Sequence, residues 1–225
     1  MPGASKSVYI FELLFLFWHK VCYHGRMTKI HYTKASFILS AAALTQLPPD
    51  KGCEVAIVGR SNCGKSSVLN QLTRNKQLAR VSKTPGRTQL INLFQIDETR
   101  RIVDLPGYGY ANVPLAIKND WSVLLTDYLS QRQCLRGLIL VMDIRHPLKE
   151  TDRKLILFSQ QYGLPIHILL NKADKLSKQA IKKTLTDVTD TLSPYQNLIT
   201  LQAFSAMKGQ GLIELETRLN DWFNG

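Results

Sequence analysis

Apolar residues along this chain fall into two rhythms. Val55–Val58, Leu138–Met142 and Ile166–Leu170 are short unbroken apolar runs, each closed by polar or turn-forming residues. Runs of that length predict strands buried on both faces of a sheet. Leu198–Phe204 reads as a further strand. Elsewhere the spacing lengthens to three and four positions. Leu115–Ser130, Thr151–Tyr162 and Ser177–Thr191 predict helices, and Gly211–Phe223 predicts a closing one. Leu90–Ile96 and Arg101–Asp104, joined by Asp97-Glu98-Thr99, predict a hairpin. Strands that alternate with helices imply an α/β fold: a mostly parallel sheet covered on both faces, with the hairpin as an antiparallel edge.

Three stretches fall outside these rhythms. Phe37–Leu44 is a short apolar stretch, and Pro48-Pro49-Asp50-Lys51-Gly52 marks a turn before the first buried strand. The span from Arg74 to Thr88 is polar and basic, contains Pro85-Gly86 and has no period, which predicts a mobile loop. At the amino terminus, Val8–Trp18 is an apolar run broken by Glu12. It is well short of the roughly 20 residues that a membrane-crossing helix needs. No small-x-small cleavage site follows it, and the residues before Cys22 do not form a lipoprotein box. Met27 offers a second start. Residues 1–26 are therefore expected to be an extension, from a start assigned too far upstream, and residues 27–225 one domain. The competing reading is an amphipathic or core-packing segment.

Composition adds one asymmetry. The 225 residues carry 29 Lys and Arg against 17 Asp and Glu, a formal net charge of +12. That excess suits a polyanionic partner, either nucleic acid or an anionic membrane, although many soluble proteins are simply basic. Arg74, Lys76, Arg80, Lys83 and Arg87 crowd one loop; Lys172, Lys175, Lys178, Lys182 and Lys183 lie on or near one helix. Cys22, Cys53, Cys63 and Cys134 show no C-x-x-C spacing and no accompanying His cluster. Zinc and redox chemistry are not indicated, and buried or incidental thiols in a reducing cytosol are expected.

The chemistry lies in the turns that follow the strands. Gly59-Arg60-Ser61-Asn62-Cys63-Gly64-Lys65-Ser66 matches G-x-x-x-x-G-K-[ST] between the strand at Val55 and the helix opening at Ser67. Such a loop curls so that its N–H groups converge on a phosphate chain; Lys65 adds a point charge and the Ser66 hydroxyl a ligand for Mg²⁺. Asp104-Leu105-Pro106-Gly107 ends another strand as D-x-x-G. Asp104 is expected to hold Mg²⁺ through a water and Gly107 N–H to meet the γ-phosphate. Asn171-Lys172-Ala173-Asp174 follows the strand Ile166–Leu170. The Asp174 carboxylate can accept both guanine N1–H and the exocyclic amine, a donor pair that adenine lacks. Asn171 can bridge the base edge and the P-loop, and the Lys172 stem can cover the ring. Ser205-Ala206 would bring the Ala206 N–H to guanine O6. Thr88 and Thr84 compete to complete the Mg²⁺ sphere. An ATP-dependent kinase or ATPase would share the P-loop but would leave Asp174 without a role.

GRSNCGKSS, KTPGRTQ, DLPGYGYA, NKAD and FSAMKGQG, in that order, resemble the EngB (YihA) group of bacterial GTPases, within the Era/TrmE/EngA/EngB/septin-like P-loop GTPases. The similarity covers about Phe37 to Phe223. It implies a three-layer Ras-like G domain and Mg²⁺-dependent hydrolysis of GTP to GDP and phosphate. It also implies a switch in late large-ribosomal-subunit assembly, with cell division and septation defective on its loss. The implied partner is the large-subunit precursor, its rRNA and ribosomal proteins, met in the cytoplasm; no stable membrane association is expected, and nothing in the sequence demands more than a monomer. The resemblance favours Thr88 over Thr84 and places the base loop at Phe204-Ser205-Ala206. The nucleotide contacts expected on these motifs run through Gly59, Arg60, Ser61, Asn62, Cys63, Gly64, Lys65, Ser66 and Ser67. They continue at Gly86, Arg87, Thr88, Gln89 and Leu90, at Asp104, Leu105, Pro106 and Gly107, and at Asn171, Lys172, Ala173, Asp174, Phe204, Ser205 and Ala206. Cys63, where a small aliphatic residue is usual, and the extension are departures from the family pattern.

Lys65, Thr88, Gly107 and Asn62 are expected to act on the reaction, with Ser66, Thr88 and Asp104 around the metal. Tyr108 occupies the position where Ras-like proteins carry a water-orienting Gln, so slow intrinsic hydrolysis is expected. Related GTPases with Asn at the Asn62 position can use a bound K⁺; shaping of the loop alone is the other reading. A membrane-associated signalling GTPase anchored through Val8–Trp18 is the alternative from another class.

Overall fold

A computed structural model of the chain describes residues 29–79, 90–108, 115–195 and 197–225, the stretch 115–122 by its backbone alone. Among them, seven strands form one sheet: β1 Ser36–Ala41, β2 Cys53–Gly59, β3 Ile91–Gln95, β4 Arg100–Asp104, β5 Leu135–Asp143, β6 Ile166–Asn171 and β7 Ile199–Ala203. Their order is β1-β3-β4-β2-β5-β6-β7. The pairs from β4 through β2, β5 and β6 to β7 are parallel, whereas β3 runs against both β4 and β1. Helices α1 Lys65–Thr73, α2 Leu115–Gln131, α3 Glu150–Gln161, α4 Lys178–Leu192 and α5 Leu212–Asn224 connect the strands or close the chain. This is the α/β class expected. The apolar stretch at Phe37 adds β1 outside the hairpin, pairing with β3 across a bulge between Phe37 and Leu39.

Successive strand residues point to opposite faces. Ala56 and Val58 of β2 face one way, into a cluster with Leu138, Leu140, Ile168 and Leu170. Tyr128 of α2, Leu155 and Ile156 of α3, and Val188 of α4 close that cluster. Val55 and Ile57 face the other way. Gly137 is the register partner of Val55, and a Cβ there would strike the Trp222 ring at 2.6 Å, so α5 lies directly over β5. Two helix starts fall one residue later than expected because the first residue is a cap. Ser177 accepts the Ala180 N–H, and Gly211 adopts φ +82°.

Two polar features were not anticipated. Glu54, at the start of β2, is fully buried. Arg101 Nε approaches its Oε1 at 2.8 Å and Arg132 Nη2 the same oxygen at 2.7 Å, while Arg132 Nε and the Tyr128 hydroxyl reach Oε2 at 2.9 and 2.8 Å. Burial pushes the Glu54 carboxyl up, but Arg132, Tyr128 and Arg101 together hold it below the usual range. In addition, the opening of the basic span is anchored. Buried Asn70 on α1 donates to the Lys76 and Ala79 carbonyls and accepts the Ala79 N–H. The first part of the span, up to Ala79, is thus hydrogen-bonded to α1, and residues 80–88 lie outside the described residues. Among the described residues no helix is long and apolar enough to cross a membrane; Val8–Trp18 and the rest of 1–26 lie outside them.

Candidate functional site

The site is assembled at the carboxyl ends of the parallel strands, where ligands of open α/β sheets bind. β2 ends at Gly59 and α1 begins at Lys65, so residues 60–64 form the connecting loop. Gly64 holds φ +103° as the cap of α1, and a Cβ there would collide with the Asn171 carboxamide. Only glycine meets both conditions. Asn62 sits in the left-handed region at φ 62°, which asparagine tolerates better than most residues. Burial raises the Cys63 thiol to about 11, so it stays protonated and packs under the loop.

β4 delivers the second motif. Ile57 opposes Asp104 in register, and Leu105 N–H donates to the Ile57 carbonyl at 2.9 Å. The pairing continues beyond the strands. Tyr108 N–H donates to the Gly59 carbonyl at 3.3 Å, and Ser61 N–H donates to the Tyr108 carbonyl at 2.9 Å. D-x-x-G is thereby laid against the P-loop, and a Cβ on Gly107 would lie 2.9 Å from Lys65 Nζ. Asp104 is 7% exposed, and its Oδ1 is buried without a hydrogen-bond partner. Burial raises its pKa against the opposing pull of Lys65 and Asn92. A buried carboxylate oxygen left without a donor, beside the first turn of α1, fits a role in holding a hydrated hard cation.

The third cluster links β6 and β7 to the P-loop. Asn171 Nδ2 donates to the Cys63 carbonyl at 2.9 Å, and its Oδ1 accepts the Ala206 N–H at 3.2 Å. Asn171 thus ties the P-loop to the loop after β7, with Ala206 N–H directed to Asn171. Lys172 Nζ donates to the Asn62 carbonyl at 2.7 Å and pairs with Asp143 at 3.0 Å. Arg145 first, then Lys172, hold the Asp143 carboxyl well below the usual range. Ser205 Oγ donates to Asp174 Oδ1 at 2.6 Å, and this bond, ahead of Lys175, lowers the Asp174 carboxyl below its ordinary range. Ala173 N–H donates to the carbonyl of fully buried Phe204, fixing the two loops side by side.

The structure therefore gathers Gly59–Ser67, Asp104–Gly107, Asn171–Asp174 and Phe204–Ala206 at one edge. Leu90 stands just before β3, 37% exposed. Gly86, Arg87, Thr88, Gln89 and the competing Thr84 lie outside the described residues. Sequence reasoning missed Asp143, Arg145 and Asp152; the available signal was the polar pair at the end of β5, Asp143 and Arg145, while Asp152 on α3 gave none. Tyr108 was read only as a missing Gln. Its ring is buried and its hydroxyl donates to Asp152 Oδ1 at 2.7 Å.

Residues 54–172, just over half the chain, match the family model described as 50S ribosome-binding GTPase, and residues 127–224 match the elongation factor Tu GTP-binding domain. A probable GTP-binding protein EngB from Coxiella burnetii is 54% identical over 193 residues, covering 86% of this chain and 94% of its own. One from Hamiltonella defensa is 52% identical over 200 residues, covering 89% and 98%. The chain belongs to the EngB family of GTP-binding proteins. Its GTPase domain makes GTP and GDP its ligands and GTP hydrolysis its activity. The crystal structure of a probable EngB superposes with a TM-score of 0.63 at 20% identity, covering 76% of this chain and 98% of that one. Aquifex aeolicus Era bound to GDP and AlF4⁻ gives 0.61 at 23% identity, covering 76% and 57%. At these identities the two structures show the fold alone.

Proposed function

We propose that this EngB-family protein is a GTP-operated switch in late assembly of the large ribosomal subunit, and that cell division suffers without it. The match of residues 54–172 to a 50S ribosome-binding GTPase family carries the proposal. The net charge of +12 supports an RNA-rich partner. Lys172 is committed to Asp143 and Asn62, and Lys175 pairs with Asp174 at 3.5 Å, which leaves Lys178, Lys182 and Lys183 exposed along the start of α4. The proposed setting is the cytoplasm and the proposed state a monomer.

In the proposed chemistry, P-loop N–H groups and Lys65 hold the phosphates, and Asp174 with Ser205 behind it reads guanine. Ser66, Thr88 and, through water, Asp104 would hold Mg²⁺. The ion would neutralise charge developing on the β- and γ-phosphates. Gly107 N–H would meet the γ-phosphate. With the Tyr108 hydroxyl turned to Asp152, the residue after D-x-x-G does not orient water as a glutamine would, and intrinsic hydrolysis is slow. Asn62 is proposed as a K⁺ ligand beside the phosphates. Hydrolysis should then run faster in K⁺ than in Na⁺, and equal rates would reduce Asn62 to shaping the loop.

Co-sedimentation of the full chain with large ribosomal subunits tests the main proposal. Binding should weaken steeply between 50 and 200 mM salt, roughly as expected for several phosphate contacts. Salt-insensitive binding would contradict an RNA phosphate interface.

A further inference from the structure

We infer that Asp152, on the first turn of α3, is a positioning residue for the γ-phosphate contact of Gly107 and acts through Tyr108. The inference rests on the proposed placement of the γ-phosphate at Gly107. Gly107 stands between two constrained residues. Before it, Pro106 has its φ fixed by the ring. After it, Tyr108 is held by at least three contacts among the described residues: its N–H on the Gly59 carbonyl, its carbonyl on the Ser61 N–H, and its hydroxyl on Asp152 Oδ1 at 2.7 Å. Two of these anchors belong to the P-loop and the third to α3. Asp152 is itself fixed, since Oδ2 accepts the Lys149 N–H at 2.9 Å across the start of the helix.

Tyr108 and Asp152 are 4% and 1% exposed. Placing a carboxylate and a phenol together in the interior is costly unless each satisfies the other, and an apolar pair would fill the same space without that cost. What the polar pair adds is direction. It fixes where the Tyr108 ring leaves the backbone and so, across the Gly107 Cα, the orientation of the Pro106–Gly107 peptide, whose N–H would meet the γ-phosphate. GDP has no γ-phosphate and does not use that peptide; GTP and the transition state for its cleavage do. The pair should therefore affect GTP and hydrolysis while leaving GDP nearly untouched.

The test compares Tyr108→Phe, Asp152→Asn and the double variant with the full-length wild type, using GDP and a non-hydrolysable GTP analogue. Tyr108→Phe keeps the ring. A cavity of about 280 Å³, lined by Asp152, Arg60 and Asp143, lets water reach the carboxylate that loses its partner. Tyr108→Phe is expected to lower kcat about tenfold and analogue affinity several-fold, with GDP affinity within about twofold. Asp152→Asn keeps one oxygen for the Lys149 N–H and offers an N–H₂ that can donate to the Tyr108 hydroxyl oxygen, so it should have the smaller effect. The double variant should be no worse than Tyr108→Phe, because both changes break one connection. Equal losses of GDP and analogue affinity, or no loss at all, would overturn the inference. Gly107→Ala separates it from the reading beneath. If Gly107→Ala leaves the analogue-to-GDP affinity ratio unchanged, the placement of the γ-phosphate fails. If that ratio falls while Tyr108→Phe leaves it unchanged, only the role of Asp152 fails.

Discussion

Asp174→Asn is expected to abolish tight GTP binding and to transfer the preference to xanthosine triphosphate. A carboxylate presents two acceptors to the two guanine donors, N1–H and the C2 amine. An asparagine presents one acceptor and one N–H₂, so a donor faces the guanine amine. In xanthine that amine is a carbonyl, which the new N–H₂ can meet. Ser205 Oγ donates to Asp174 Oδ1 at 2.6 Å, so the carboxamide oxygen keeps its partner and the side chain keeps its direction. Sites built to hydrogen-bond a substrate reject a mismatched one by large factors. GTP affinity should fall at least about 100-fold, roughly 3 kcal/mol, and xanthosine triphosphate should recover most of it. Competition titration against a fluorescent nucleotide reads both effects. Unchanged GTP affinity in Asp174→Asn would remove Asp174 from the base site.

The second large effect lies at the opposite end of the same sheet, where β2 begins. Glu54→Ala should destabilise the nucleotide-free protein by about 3–5 kcal/mol, the range for removing one partner of a buried ion pair. The change would leave the guanidinium groups of Arg101 and Arg132, whose side chains are 12% and 8% exposed, without their common carboxylate. It would also orphan the buried Tyr128 hydroxyl. Glu54 and Arg101 are register partners on β2 and β4, the strands that end in the P-loop and in Asp104. The cluster thus helps to fix the register that brings Lys65 and Gly107 together. Denaturant titration should show a lower midpoint at an unchanged slope. A loss under about 1 kcal/mol would mean that the cluster contributes no more than a surface ion pair.

These two residues also mark what can be read from the sequence. The placement of Asp174 was legible because its motif is four adjacent residues after a strand. The placement of the P-loop and Asp104 was legible for the same reason, as were β2, β5 and β6, whose unbroken apolar runs reflect burial on both faces. Glu54 was not. A single acid ahead of an apolar run looks like an exposed strand start, and its partner Arg132 lies 78 positions away. Tyr108 and Asp152 are 44 positions apart, and Asn171 and Cys63 108 apart. Such contacts exist only once strand order has been set. β1 escaped notice because Phe37 and Ile38 are exposed, so its residues do not alternate as those of a half-buried strand do. The span after Arg74 looked irregular because Asn70, which anchors it, belongs to the preceding helix.

The central claim is that the nucleotide site operates a ribosome-assembly switch. Its most direct test is sedimentation of cell extract containing the full chain, with GDP or with a non-hydrolysable GTP analogue. The account predicts that the protein follows large-subunit particles with the analogue and stays near the top of the gradient with GDP. The same distribution in both nucleotides, or migration away from large-subunit particles in both, would contradict it.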